Sequence, residues 1–414
     1  MTSARRVCVV AWSVLCLSAP VLAQEPVDPF ETARFRWGPI RFTPVLEITS
    51  VGHDSNVFNE FEDPKSDFTA AVGPAVKLWM RPARTNFSLS TGAQYLYFRK
   101  YDDQRAWNAD HEAKWEIPLG RLTPFVAGTY VNSRDRLGYE IDARSRRRDQ
   151  SYTVGATLRV SGKTQLVGSH QRSQFRYDER ESSFGAELAT ALNRRTAEST
   201  VQFRYALTPL TTFVTTVDVG RDRFEVDHLR DSNNLTVLPG FELKPFALIS
   251  GTIFVGFRQF DPLDNRLPDY RGVVAAVKAK YRFSATQVEV TVDRDVAYSF
   301  EETQPYYALL DYGLTVTQRV TQRWDLVGEA RLQQLAYRSL ALEPSPLVTT
   351  PQSAAGAAER LDRGRVFAGG LGWRLNETTR LGLNVSHARR ISSAERRSFE
   401  GTRVFGSITY GTQQ

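Results

Sequence analysis

From residue 42 onward, apolar and polar side chains alternate with a period of two. In 86–97, Phe87, Leu89, Thr91, Ala93, Tyr95 and Tyr97 fall on one face, and Asn86, Ser88, Ser90, Gly92 and Gln94 on the other. In 197–207, Val201, Phe203, Tyr205 and Leu207 oppose Glu198, Thr200, Gln202 and Arg204. In 273–283, Val273, Ala275, Val277, Ala279, Tyr281 and Phe283 oppose Lys278, Lys280 and Arg282. In 288–295, Val288, Val290 and Val292 oppose Glu289, Thr291, Asp293 and Asp295. Such a period over such lengths predicts strands with one apolar and one polar face.

Extended to the whole chain, the pattern predicts strands over 42–52, 65–80, 84–101, 105–118, 121–134, 149–160, 163–177, 195–207, 210–226, 232–243, 247–260, 270–283, 286–298, 306–319, 323–338, 363–374, 378–391 and 401–411. The total is about 18, an even number as in bacterial outer-membrane barrels. Segment 181–192 is taken as loop, with Phe184–Leu192 as a short helix, because this keeps short and long connections in alternation. The short ones include Arg81–Arg84, Pro118–Arg121, Ser161–Lys163, Thr208-Pro209, Lys244-Pro245, Ser284-Ala285, Thr321-Gln322 and Asn376-Glu377. The others, such as 135–148, 178–194, 261–269 and 339–362, are longer and mostly charged. A soluble sandwich has no reason to treat its two ends so differently. A transmembrane barrel has tight periplasmic turns and free extracellular loops. Trp79, Trp115, Phe213, Tyr281, Phe283, Trp324 and Trp373 lie near the short-turn ends, where an interfacial aromatic girdle is expected. The predicted fold is therefore all-β, an antiparallel up-and-down transmembrane β-barrel over 42–411 in the bacterial outer membrane, with 24–41 as a periplasmic lead.

The N-terminus agrees with export. Arg5 and Arg6, the apolar run Val7–Leu17 and the small-residue site at Val21–Ala23 read as a signal peptide over 1–23, cleaved after Ala23. Beyond it, no apolar run is long enough for a membrane helix. Both cysteines, Cys8 and Cys16, fall in the signal, so the mature chain has no thiol chemistry and no disulfide. Without Arg5 and Arg6, 51 of the 53 basic residues remain against 46 acidic ones. That mild excess is spread along the chain and does not point to nucleic acid.

Several segments resemble the Putative beta-barrel porin 2 family. The first strand runs into Gly52-His53-Asp54-Ser55-Asn56-Val57-Phe58, similar to the family's opening pattern, with His53 where tyrosine is usual. Leu207–Thr212, Arg221–Phe224 with Arg230–Ser232, Gly240–Glu242 and Ala247–Gly251 are further points of similarity. The resemblance implies an outer-membrane barrel associated with exopolysaccharide or capsule export. One departure is the C-terminus, where Tyr410 is followed by four more residues rather than ending the chain. Many such barrels end on an aromatic residue that the barrel-assembly machinery reads.

Candidate chemistry is sparse. His53, His111, His170, His228 and His387 lie on separate segments without metal-ligand spacing, and no nucleophile–base arrangement is present, so neither an enzyme nor a metal or cofactor is expected. Asp54-Ser55-Asn56 reads as a turn whose side chains satisfy their own backbone. The polar face supplies lumen candidates: basic Arg204, Lys278, Lys280 and Arg282, and acidic Asp218, Glu289, Asp293 and Glu329. Two readings apply to them. They tune which solutes pass, or they pair across neighbouring strands and stiffen the wall. Arg144, Arg146, Arg147 and Arg148, with Arg396 and Arg397, form basic external loops that would meet lipopolysaccharide phosphates or an anionic polymer. The expected role is a porin-like conduit for polysaccharide export, with inner-membrane machinery supplying the force and a periplasmic export partner. The alternatives are an uptake porin and a plugged scaffold.

Overall fold

The computed structural model describes residues 28, 30–135, 140–141, 144–244, 248–340, 360–394 and 396–411. The expected signal peptide, part of the Lys244-Pro245 turn and most of loop 339–362 lie outside them.

The wall strands are β1 (Ile40–Asp54), β2 (Asp67–Met80), β3 (Asn86–Phe98), β4 (Ala106–Glu116), β5 (Leu122–Asp135), β6 (Ser145–Arg159), β7 (Thr164–Tyr177), β8 (Arg194–Thr208) and β9 (Thr211–Phe224). They continue as β10 (Ser232–Leu243), β11 (Ile249–Pro262), β12 (Tyr270–Phe283), β13 (Thr286–Tyr298), β14 (Tyr306–Arg319), β15 (Trp324–Arg338), β16 (Leu361–Arg374), β17 (Thr379–Ile391) and β18 (Phe399–Tyr410). Each pairs antiparallel with the next, and β18 returns to β1 from Leu46↔Tyr410 to Asp54↔Arg403. The sheet is a closed barrel with no open edge. Every predicted strand is present, and the ends differ by a few residues. Two differences matter. The strand expected from 149 starts at Ser145, so Arg146, Arg147 and Arg148 belong to the wall rather than to an external loop. In the lead, Phe35–Trp37 pairs with Ile40–Phe42 as a small hairpin beneath the barrel. Segment 181–192 lies outside the wall, as expected, but Ser182–Ser183 pairs with Ala186–Glu187, and the helix covers only Leu188–Leu192 of the expected Phe184–Leu192.

The outward faces are apolar and bare. Phe283, Leu383, Val201 and Val154 are 56–66% exposed, in a band that runs around the wall. Water would not tolerate so large a continuous apolar surface, whereas lipid requires it. Among the described residues, no helix is long and apolar enough to cross a membrane. Near the short-turn end, Trp324 stacks on Trp373 and Phe213 meets Phe241 on the outer face. Trp79 departs from the expected girdle. Phe68 and Val72 set the outward parity of β2, and Trp79 is out of phase with them. It pairs with Ser88 and so faces the lumen.

Closure depends on a clasp at the outer end of the seam. A bulge near Ser50, whose φ is +54°, shifts β1 against both neighbours. The extra residue reverses the parity and turns Asp54 inward, where it pairs with Arg403 at 2.8 Å. Gly52 sits where a Cβ would lie 2.0 Å from the Val404 carbonyl oxygen, so no side chain fits. Beyond the last ladder pair, the Ser55 N–H donates to Thr402 O, and Ser55 Oγ accepts from the Thr402 N–H. The buried Asn56 amide donates to Glu60 O at 2.8 Å and to Glu400 O at 2.9 Å, and its oxygen accepts from the Glu60 N–H. Asp54-Ser55-Asn56 is thus both a turn and the staple between the first and last strands.

Two outcomes follow. Val290→Lys places a charge on the lipid face and costs about 2–4 kcal/mol near mid-membrane, so folding yield into vesicles falls sharply. A yield equal to the parent would contradict the assigned face. Asn56→Ala leaves three backbone groups without their partner. The urea midpoint of the vesicle-folded protein then drops by the equivalent of about 1–3 kcal/mol, and an unmoved midpoint would rule out the clasp.

Candidate functional site

The inward faces carry the polar half of each strand. Arg204 holds Glu242 through two hydrogen bonds, one of them 2.8 Å. Glu289 lies 3.1 Å from Lys280 and 3.6 Å from Lys278, and Arg282 donates to the Gln287 side chain. Asp218 accepts from the Thr200 hydroxyl at 2.7 Å. Asp293 and Glu329 also face inward, and neither has a hydrogen bond or ion pair among the described residues. Further pairs that sequence reasoning missed are Arg258–Asp295 at 2.6 Å, Arg331 with Asp311, and Asp325 with Arg380 at 2.6 Å and Arg374 at 3.4 Å. Most charged groups therefore sit in pairs one or two strands apart within the wall. The alternation marked them as inward, but their partners are fixed by register, which single-strand periodicity does not contain.

The basic residues expected in external loops divide. Arg148 and Arg396 are exposed, and Arg396 lies 4.0 Å from Glu62. Arg146 donates to the Asn132 side chain. Arg147 pairs with Asp149 and the Tyr177 hydroxyl. Arg144 turns inward over the Phe98 ring, 3.9 Å from Asp135. Arg397 is 4% exposed and lies between the rings of Phe184 and Phe300. Arg144, Arg147 and Arg397 are thus spent on the protein itself and do not form an external basic surface.

Arg397 belongs to a buried cluster across the extracellular mouth. Its centre is the turn 299–305 between β13 and β14. The Ser299 hydroxyl donates to Glu140 at 2.6 Å and the Phe300 N–H at 3.2 Å. Glu140 lies between β5 and β6, nearly opposite in a ring of eighteen strands, so this contact crosses the opening. Arg230, from the loop before β10, donates to Ser299 O and Glu301 O, both at 2.8 Å. Glu301 accepts from Arg360 at 2.9 Å and Arg397 at 2.6 Å. Asp362 is held by Arg360 at 2.6 Å and Arg390 at 2.8 Å, and Arg390 also donates to Glu140 O. Beneath these groups Phe300 packs with Ile141, Leu188, Leu192 and Phe224. Burial pushes the Glu140 carboxyl up to about 7 against the pull of its donors Ser299 and Phe300. Burial likewise brings the Arg230 guanidinium down to about 10. None of Glu140, Glu301, Arg360, Asp362 or Arg390 stood out in the sequence, and Arg230 did so only within the family resemblance. Their one signal is that charged residues recur where strands end at the long-loop side.

Among the described residues, no group of His, Cys, Asp and Glu is placed to hold a metal ion. His111, His170 and His387 bond to Thr91, Ser199 and Thr402 on neighbouring strands.

No curated protein matches this chain in sequence. Among solved structures, a BenF-like porin from Pseudomonas fluorescens Pf-5 superposes with a TM-score of 0.48 at 10% identity, covering 91% of this chain and 99% of that one. The outer membrane protein OpdK from Pseudomonas aeruginosa gives 0.48 at 10% identity, covering 89% and 98%. The siderophore receptor PirA from Pseudomonas aeruginosa gives 0.43 at 8% identity, covering 91% and 81%. The family described as Putative beta-barrel porin 2 matches residues 28–411, from ahead of the first wall strand through the last. The chain is a member of that family, a porin-like β-barrel of the bacterial outer membrane.

Proposed function

We propose that the barrel is a gated conduit for a hydrophilic glycan, working in polysaccharide export. The observation that carries the gate is the cluster across the mouth. It joins side chains of separate loops to Asp362 and Arg390 at the upper ends of β16 and β17 through side-chain contacts, with no covalent link, so it can open without breaking a wall ladder. The lumen behind it is lined by hydroxyl, amide and paired charged groups. A polymer moving along such a wall meets weak, repeated contacts, as conduction requires. The family resemblance around Gly52–Phe58 and Leu207–Thr212 supports the choice of a glycan and of the export direction. A second reading, a plugged scaffold, is favoured by the same cluster, and conductance separates the two.

Glu140 makes the gate depend on pH. In the closed mouth it faces the Ser299 hydroxyl, the Phe300 N–H, the Tyr337 hydroxyl and the charges of Arg230, Arg390, Arg397 and Glu301. Closed, it keeps its proton up to about pH 7; released to water, it returns to an ordinary value near 4.5. The closed state therefore binds more protons between those values. Closure has its full advantage below the lower value, loses about 1.4 kcal/mol per pH unit across the window, and has lost that contribution above the higher one. In planar bilayers, open probability should rise with pH across this range. Glu140→Gln, which cannot ionise, should stay closed and respond little. A parent protein without conductance at any pH favours the scaffold, and one that conducts equally at every pH removes Glu140 from the gate.

Deleting the gene tests the cargo. Export predicts lost surface polysaccharide with normal growth on small sugars. Intact polysaccharide with a specific nutrient defect would assign the barrel to uptake.

A further inference from the structure

Trp79 marks a second place of interest, at the other end of the lumen from the gate. It lines a cavity of about 940 Å³ on the inner face of β1 to β5, with Glu47, Lys77, Gln94, Asp110 and Arg34. The hollow exists because small residues interrupt the wall. Gly73 pairs with Glu47, and Gly92 pairs with Ala75 and Asp110, so no bulky side chain fills the space above Trp79. Gly92 is tight, since a Cβ there would meet the Asp110 carboxylate at 2.7 Å. Gly73 is roomy, with its nearest atoms at 3.7 Å.

The polar groups here differ from those on the paired wall of β8 to β15. Among the described residues, the side chains of Glu47, Lys77, Gln94 and Asp110 make no hydrogen bond or ion pair. They are ready-made partners for a ligand rather than struts of the wall. Their charges balance, with Glu47 and Asp110 against Lys77 and Arg34, so no net field selects a polyanion or a polycation. An indole face beside free acid, amide and amine groups suits one class of molecule. The C–H face of a pyranose ring is apolar and weakly electropositive and packs on the negative face of an indole. Its equatorial hydroxyls then need donors and acceptors around the rim, in a cleft of this size.

We infer that this hollow is a saccharide subsite that takes a short stretch of neutral glycan, with Trp79 as the stacking platform. The inference rests on the glycan reading above and adds a location to it. Trp79 lies one residue from the end of β2 at the short-turn side, so the subsite meets a chain at the periplasmic entrance, before the gate.

The test is titration calorimetry of the full, detergent-folded barrel with maltohexaose, a neutral glucose oligomer, with folding checked by heat-modifiable gel mobility. Saturable binding is expected. Trp79→Ala should weaken it about tenfold, and Trp79→Phe should keep much of it. Gly73→Leu, which grows into open space, should abolish binding in a fully folded barrel. Absence of binding by the parent protein would overturn the subsite, as would affinities unchanged by both Trp79→Ala and Gly73→Leu. Trp79-dependent binding of an anionic uronate oligomer in place of maltohexaose would overturn the neutral class. Intact surface polysaccharide in the deletion strain would refute export yet leave this binding in place, so the two failures are distinguishable.

Discussion

A hydrocarbon layer offers no hydrogen-bond partners, so every backbone N–H and C=O within it must find one in the protein. For a sheet this means closure, and closure rests on the seam between β1 and β18. That pairing is interrupted by the bulge at Ser50 and has fewer paired rows than most other ladders. Ser55 and Asn56 extend it beyond the membrane with side-chain bonds to Thr402 and Glu400. The residues that carry the family resemblance therefore have a mechanical role: they hold the ends of the ladder together. The same bulge turns Asp54 inward, which links closure of the wall to the polarity of the lumen.

Within the closed wall, the lumen has two kinds of surface. Between β8 and β15 most charges are paired with a near neighbour, which stiffens the wall and leaves little free field. Between β1 and β5 glycines hollow the wall and polar groups stand free around Trp79. The mouth adds a third element, a layer in which six loops meet at Ser299, Phe300 and Glu301. Burying Arg230, Arg360, Arg390 and Arg397 together is tolerable only because each finds a carboxylate or a carbonyl there. Such a layer is strongly cooperative: removing one acid leaves an arginine buried without its partner. This makes it suited to two states, assembled or released.

The wall was legible in the sequence because lipid outside and water inside impose a period of two on every strand. Trp79 shows the limit of that signal. Near a strand end, an aromatic residue suits the outer girdle or the lumen equally, and one residue of phase decides. Arg146 to Arg148 show another limit, since a charged run looks like loop even where it extends a strand above the lipid. The mouth was barely legible: Arg397 stood out only as part of a basic loop, and Arg230 only within the family resemblance. Glu140, Arg230 and Arg390 have no common spacing, and only the ring of eighteen strands brings them together. The wall follows from local alternation, whereas the layer at the mouth follows from contacts across the barrel.

The gate is open to one decisive experiment. The described residues contain no cysteine, so a pair introduced by Ile141→Cys and Phe300→Cys, from opposite sides of the mouth within one buried cluster, would be unique among them. A short linker that reacts with both thiols and is cleaved by a reductant would hold the two loops together. Single barrels in a planar bilayer should then show no conductance steps at alkaline pH until the reductant is added, after which steps appear. Steps of unchanged size with the linker in place would mean that solute passes elsewhere and that the cluster across the mouth is not the gate.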